Sequence, residues 1–247
     1  MESLFNMIFK RKSFHVFKNP GHLTQEVLQE IETHFQLLKP LKDDIQVNFK
    51  IVPKEKTSCK RGEYCVLFFS EKKDGYLQNI GYLGGQIDLW LASKNIATCW
   101  YGVGKTEIRT ENDLDFVILM AIARVNETDF RKDYTKSKRK PLEAIWNGES
   151  NQSIAKIVRF TPSACNTQPW YVESKDNQLY VYRIRGKRGI MPADKVVYYN
   201  RIDMGIFLLF MELCLKHEGM AFTRTLFADT VDEKARVLTA KYTTNHL

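Results

Sequence analysis

The chain has 247 residues, 44% of them hydrophobic, and carries a formal net charge of +8. That length fits one large domain or two small fused halves, and no apolar run approaches the roughly 20 residues of a membrane helix, which excludes a helical span. Five scattered cysteines, Cys59, Cys65, Cys99, Cys165 and Cys214, suit neither a zinc site nor a closed disulfide set, so reduced thiols, no metal centre and a cytoplasmic protein are expected.

The acidic Glu2 and the absence of a basic region before the first apolar residues argue against a secretory leader. The positive charge itself suits nucleic acid, an anionic membrane or a phosphorylated cofactor, and composition does not choose among them. Residues 4–17, LFNMIFKRKSFHVF, run from apolar chain into Arg11, Lys12, Ser13 and His15. Basic side chains around a hydroxyl suit a phosphate-like oxygen through charge-assisted hydrogen bonds, although a solvated basic turn has the same composition. Thr24 opens a predicted helix to about Leu38, with Val27, Leu28, Ile31, Phe35 and Leu38 at helical spacing and Pro40 ending it.

Residues 45–52 and 64–70 have the β-branched and aromatic content of strands. A helix over 77–94 follows, with Ile80, Leu83, Ile87, Trp90 and Leu91 on one face. Gly81, Gly84 and Gly85 lower its intrinsic propensity and point to close packing, and Asn95 suits the left-handed position that closes it. Ile96–Gly104 reads as a strand or turn and 114–125 as a central strand. Polar chain from Asn126 ends in Lys138, Arg139 and Lys140 before Pro141, a first-position residue for a short helix, PLEAIW.

A helix near 151–160 leads to Phe160–Trp170, FTPSACNTQPW. Pro162 and Pro169 prevent a long helix or a central strand from crossing it, and the small or polar Ser163, Ala164, Asn166, Thr167 and Gln168 make a rim suited to a flat ligand. An ordinary helix-to-strand connection uses the same residues. Strands near 170–174 and 178–184, an apolar helix over 201–218 and a strand in MAFTRTLF complete the order. Gly81 and Asn95 stand at the same separation as Gly205 and Gly219, which suggests an internal repeat with halves 1–148 and 149–247.

Four segments, RKSFHVF, GGQIDLWLASKNIATCWYG, KRKPLEAIW and FTPSACNTQPW, together resemble the FMN-dependent nitroreductase family. The resemblance implies an α+β fold with a central, mostly antiparallel sheet flanked by helices, built as a homodimer with FMN at the interface. Here the proline-bracketed loop follows the basic segments, so that one chain can supply both parts of the site. That order resembles a subgroup with two fused half-domains, a monomer mimicking the family dimer, with further association open.

By the same resemblance Arg11, Lys12 and Ser13 hold the FMN phosphate and ribityl chain, and Lys138, Arg139 or Lys140 closes on the phosphate. Pro162, Ser163, Ala164, Asn166 and Gln168 contact the flavin from the other half, and Thr98, Trp100 and Tyr101 lie close to the ring. His15 stands where relatives usually carry Arg or Lys at the pyrimidine edge, and it supplies a cation only when protonated. Electrons would pass from NADH or NADPH to a small flat acceptor such as a nitroaromatic or quinone. The cofactor carries that chemistry, so no catalytic triad is needed. A flavin-binding sensor or store without turnover is the alternative. A nucleic-acid-binding domain would show a steep salt dependence, and no such partner is expected without a helix-turn-helix, zinc or RNA-binding signature.

Overall fold

The apolar start forms two short helices, α1 (Glu2–Phe5) and α2 (Met7–Lys10), and the chain leaves the second in an extended conformation at Arg11. The computed structural model describes residues 2–229 and 235–246. Thr24 precedes α3 (Gln25–Phe35) in capping backbone geometry, but its side chain takes no capping bond and the helix stops short of Leu38. Next come β1 (Val47–Pro53), β2 (Tyr64–Ser70), α4 (Tyr76–Ser93), β3 (Ile96–Tyr101), β4 (Thr110–Glu111) and β5 (Leu114–Arg124). The PLEAIW segment is not a helix beginning at Pro141. It makes a single 3-10 turn, Leu142–Ala144, after which Ile145 and Trp146 turn into the core and β6 (Trp146–Asn147) pairs with a later strand.

The remainder is α5 (Gln152–Val158), β7 (Trp170–Lys175), β8 (Gln178–Ile184), α6 (Val196–His217), β9 (Met220–Leu226) and β10 (Arg236–His246). Helix α6 begins five residues earlier than its apolar core suggests, because Val196 and Tyr199 also bury their side chains. The sequence gives no clear strand pattern over β10, whose segment mixes three Thr with single Arg, Lys, Asn and His residues. It pairs on both sides, with β8 and β9.

The fold is α+β and almost wholly antiparallel, with the strands divided between two five-stranded sheets. One has the order β1-β2-β5-β3, with β4 on β5, and the other β6-β7-β8-β10-β9. From β1 and β7 onward the two orders are the same, with α4 and α6 in matching positions. These helices are apolar nearly all round because each packs on the other as well as on strands. They cross where Gly81 meets Gly205: a Cβ on Gly81 would stand 2.0 Å from the Ile202 carbonyl oxygen, and one on Gly205 1.9 Å from that of Gln78. Asn95 and Gly219 close the two helices with φ of 57° and 68°.

Seven residues beyond each crossing glycine lies a buried carboxylate, Asp88 on α4 and Glu212 on α6. Glu212 accepts from Tyr82 at 2.8 Å and Tyr242 at 2.9 Å and pairs with Arg224. Asp88 instead serves the N-terminal basic segment, and its partners bring that segment to a cleft. Among the described residues no helix is long and apolar enough to cross a membrane.

Candidate functional site

A cleft of about 830 Å³ opens between the N-terminal basic segment, the β3 end, the 137–139 segment, the Pro162 loop and the start of α6. Its cationic end is built from chain that would otherwise be unconnected. Residues 13 and 14 run beside β3, where Phe14 N–H donates to the Thr98 carbonyl at 2.9 Å. Arg11, 3% exposed, lies 3.0 Å through Nε from Asp88 Oδ2, a charge contact without the alignment of a hydrogen bond, and its Nη2 donates to Ser13 Oγ at 3.3 Å. Asp88 also accepts from Thr98 Oγ1 at 2.5 Å and Trp100 Nε1 at 3.3 Å.

Arg131 is brought alongside by its backbone N–H, which donates to the Lys10 carbonyl at 3.1 Å. Burial first, and then the Arg11 charge, lower Arg131 to about 10. Burial, followed by Arg11, Arg131 and Arg159, lowers Arg139 to the same range. Among the described residues no carboxylate pairs with Arg131 or Arg139, and Nε of Arg139 is buried without a partner. Arg131 and Arg139, close to the Arg11 charge and without a carboxylate, with a buried donor of Arg139 unused, fit a multiply charged oxyanion such as a phosphate.

The Pro162 loop forms the facing wall. It is tightly coiled, with Cys165, Asn166 and Gln168 at φ of 50°, 55° and 49°, values uncommon for residues other than glycine. Bonds to three neighbours hold it. Asn166 accepts from Arg139 Nη1 and donates to the Lys138 carbonyl, both at 3.1 Å. Ser163 Oγ accepts Gln168 N–H at 2.9 Å, and Ala164 N–H donates to Asp203 Oδ1 on α6 at 2.9 Å. Burial pushes Asp203 up to about 7, against the opposing bonds from Ala164, Asn200 and Thr167.

Trp100, Tyr101 and Tyr199 give the cleft an aromatic side, and Tyr199 is fixed by its hydroxyl donating to the Gly102 carbonyl at 2.5 Å. Arg61, from the loop between β1 and β2, enters here. Its guanidinium is 5.3 Å from the Tyr101 ring centroid, 3.3 Å from Cys99 Sγ and 3.2 Å from His15 Nδ1. An arginine only donates, so His15 Nδ1 acts as the acceptor. A permanent cation therefore stands beside the histidine.

Of the residues singled out in the sequence, Arg11, Lys12, Ser13, His15, Trp100, Tyr101, Lys138, Arg139, Pro162, Ser163, Ala164 and Asn166 line the cleft. Thr98, Lys140 and Gln168 do not. Thr98 spends its hydroxyl on Asp88, while Lys140 and Gln168 bond each other behind the loop, Lys140 N–H to Gln168 Oε1 and Lys140 Nζ to the Gln168 carbonyl, both at 2.8 Å. Sequence reasoning missed Arg61, Arg131, Cys165, Tyr199 and Asp203, which also line it. Asp203 left a signal, a lone carboxylate in the apolar run RIDMGIFLLF, whereas Arg61 and Arg131 sit in polar loops that look alike throughout.

A second, much smaller cavity lies beside the start of α4. Leu41, Lys42, Gln78, Leu226 and Phe227 border a cavity of only about 70 Å³, room for a few waters and no more. Asp229, two residues after Phe227, is buried against Arg183 and accepts from Gln78 Nε2 at 2.9 Å.

Residues 3–215 match the family described as "Putative TM nitroreductase". Among solved structures, a putative nitroreductase from Thermotoga maritima is 19% identical with a TM-score of 0.59, the alignment covering 98% of this chain and 92% of that one. At that identity the likeness speaks for the fold. A nitroreductase family protein from Clostridium novyi NT is 14% identical, with a TM-score of 0.40, over 51% of this chain and 86% of its own. No curated protein matches the chain.

Proposed function

The chain belongs to the family described as "Putative TM nitroreductase", and on that premise we propose that it is an FMN-dependent oxidoreductase passing electrons from NADH or NADPH to a small flat acceptor such as a nitroaromatic or quinone. The observation that carries the reading is the arginine cluster at one end of a cleft whose other walls are aromatic and amide-rich: Arg131 and Arg139 have no carboxylate partner among the described residues, and Arg11, paired with Asp88, adds its charge beside them. A phosphate on a flat heterocycle matches both ends.

FMN, when bound, supplies the acceptance and delivery of hydride. Arg131 and Arg139, with Arg11 and Ser13, would bind its phosphate, and the Pro162 loop with Trp100 and Tyr101 would hold the ring and exclude water from one side. Arg61 offers a fixed positive charge near that ring, where preorganised charge stabilises developing negative charge. Exposed Val103 and Ile190 at the mouth leave room for a second flat molecule. We also propose that the chain is two fused half-units, 1–148 and 149–247, a reading supported by the repeated strand order and the glycine crossing, and that one chain mimics the family dimer.

The deciding experiment is an absorbance spectrum of natively purified protein followed by anaerobic addition of NADH or NADPH. A flavin spectrum that bleaches supports an enzyme. A flavin spectrum that stays unbleached makes the protein a flavin store, and protein that cannot be loaded with flavin sinks the proposal.

A further inference from the structure

Asp203 stands in an otherwise apolar stretch of α6, 3% exposed, and lines the cleft. Its Oδ1 accepts the Ala164 N–H, its Oδ2 lies 3.5 Å from Asn200 Nδ2, and the Thr167 hydroxyl is a further partner. Among the described residues no basic side chain pairs with it. The same position in the first half, two residues before the crossing glycine, is Asn79. Asn79 Oδ1 accepts Leu41 N–H at 2.8 Å and Lys42 N–H at 3.1 Å, just after Pro40, as Asp203 accepts Ala164 N–H just after Pro162. An amide therefore suffices to hold such a loop. What a carboxyl adds at position 203 is a proton that can come and go.

We propose that Asp203 takes up a proton from solvent when a flat ligand fills the cleft, so that ligand binding is linked to pH through this one side chain. The inference rests on the flavin reading of the site. A ring covering Asp203 removes its remaining access to water, which disfavours the carboxylate, and an anionic ligand adds like-charge repulsion in the same direction. The titratable groups lining the cleft from other positions are Cys165, Tyr101 and Tyr199 in the walls and Arg11, Lys12, His15, Arg61, Arg131, Lys138 and Arg139 around it. None of these is among the groups that shift Asp203, whose position near 7 is set by burial, so its ionisation is free to respond to the ligand in the neutral range.

Riboflavin is the probe of choice, because it lacks the phosphate that would bind a proton of its own. For the wild type, affinity measured by fluorescence should fall toward about tenfold per pH unit above about pH 7. For Asp203→Asn, which keeps an oxygen for Ala164, it should stay flat. Parallel curves overturn the proposal. A measurement on the wild type alone guards against a variant that fails to fold: calorimetry at about pH 7.5 in two buffers of different ionisation heat should give an uptake approaching about three quarters of a proton per ligand, and zero uptake overturns the proposal. FMN is run beside it, its phosphate contribution being common to both proteins. Binding without linked protonation removes Asp203's role and leaves the flavin reading standing, whereas failure of FMN and riboflavin alike to bind removes both.

Discussion

Arg131→Ala separates ligand binding from folding in a way that Arg11→Ala does not. In the free protein Arg131 faces Arg11 and Arg139 without a carboxylate, and burial together with Arg11 lowers it to about 10. Truncation relieves repulsion and leaves no buried charge unpaired, so thermal stability should hold or rise. A charge-assisted bond to phosphate would be lost, about 1.5–3 kcal/mol, or roughly 10- to 150-fold in FMN affinity. Riboflavin should bind as before. Arg11→Ala would strip the cationic partner from Asp88, which is 1% exposed, and breaking a buried pair costs about 3–5 kcal/mol of stability. Fluorescence titrations with FMN and riboflavin, paired with thermal melts of both ligand-free variants, make the comparison. Equal weakening of the two ligands by Arg131→Ala, or a melt lowered as far as that of Arg11→Ala, would refute the assignment of this cluster to phosphate.

Fully loaded protein should hold one FMN per chain, because the second cavity is about 70 Å³, and a flavin-to-protein ratio near two would contradict that. Gly205→Ala should destabilise the ligand-free protein by about 1–3 kcal/mol or more in denaturant melts, since the new methyl meets the Gln78 backbone; an unchanged melt would mean that the helices part easily. Burial raises Asp203 from 3.8 to about 7 in the folded chain, so the folded state binds the extra proton between those values. Its contribution is complete below about pH 4 and is lost as pH rises through about 7, on the order of 4 kcal/mol. Denaturant melts of ligand-free wild type should therefore decline across that window relative to Asp203→Asn, and parallel profiles would disprove the shift. With Arg61 a permanent cation over Tyr101 in the cleft wall, Arg61→Met should lower the midpoint potential of bound flavin at every pH, and an unchanged potential would remove Arg61 from the cofactor's electronics.

Period and propensity were enough for β2, whose seven residues are buried almost throughout, and for α4, whose glycines betray a close neighbour. Two prolines marked the loop between α5 and β7. Strand β10 escaped because its polar residues resemble loop chain until β8 and β9 supply partners on both sides. In the site, local motifs identified the Arg11 segment and the Pro162 loop as suited to a ligand. They could not convey that Asp88 occupies part of Arg11's charge, nor that Lys140 and Gln168 satisfy each other. Arg61 and Arg131 reach the cleft through loop geometry fixed by contacts 46 and 121 residues away in sequence, to His15 and Lys10. No short window of sequence contains that information.

The crossing of α4 and α6 limits what either helix can carry there. At Gly81 and Gly205 the obstacle to any side chain is main chain of the opposite helix, which no substitution elsewhere can trim away. A side chain at either position is therefore blocked whatever stands at the other, although the positions around the crossing differ between the two helices, Asn79 against Asp203 and Asp88 against Glu212. The same packing reaches the site: Asp88 on one helix anchors Arg11 and Asp203 on the other anchors the Pro162 loop, so two walls of the cleft are tied to helices that pack directly on each other, and a methyl forced into their crossing would disturb both walls at once.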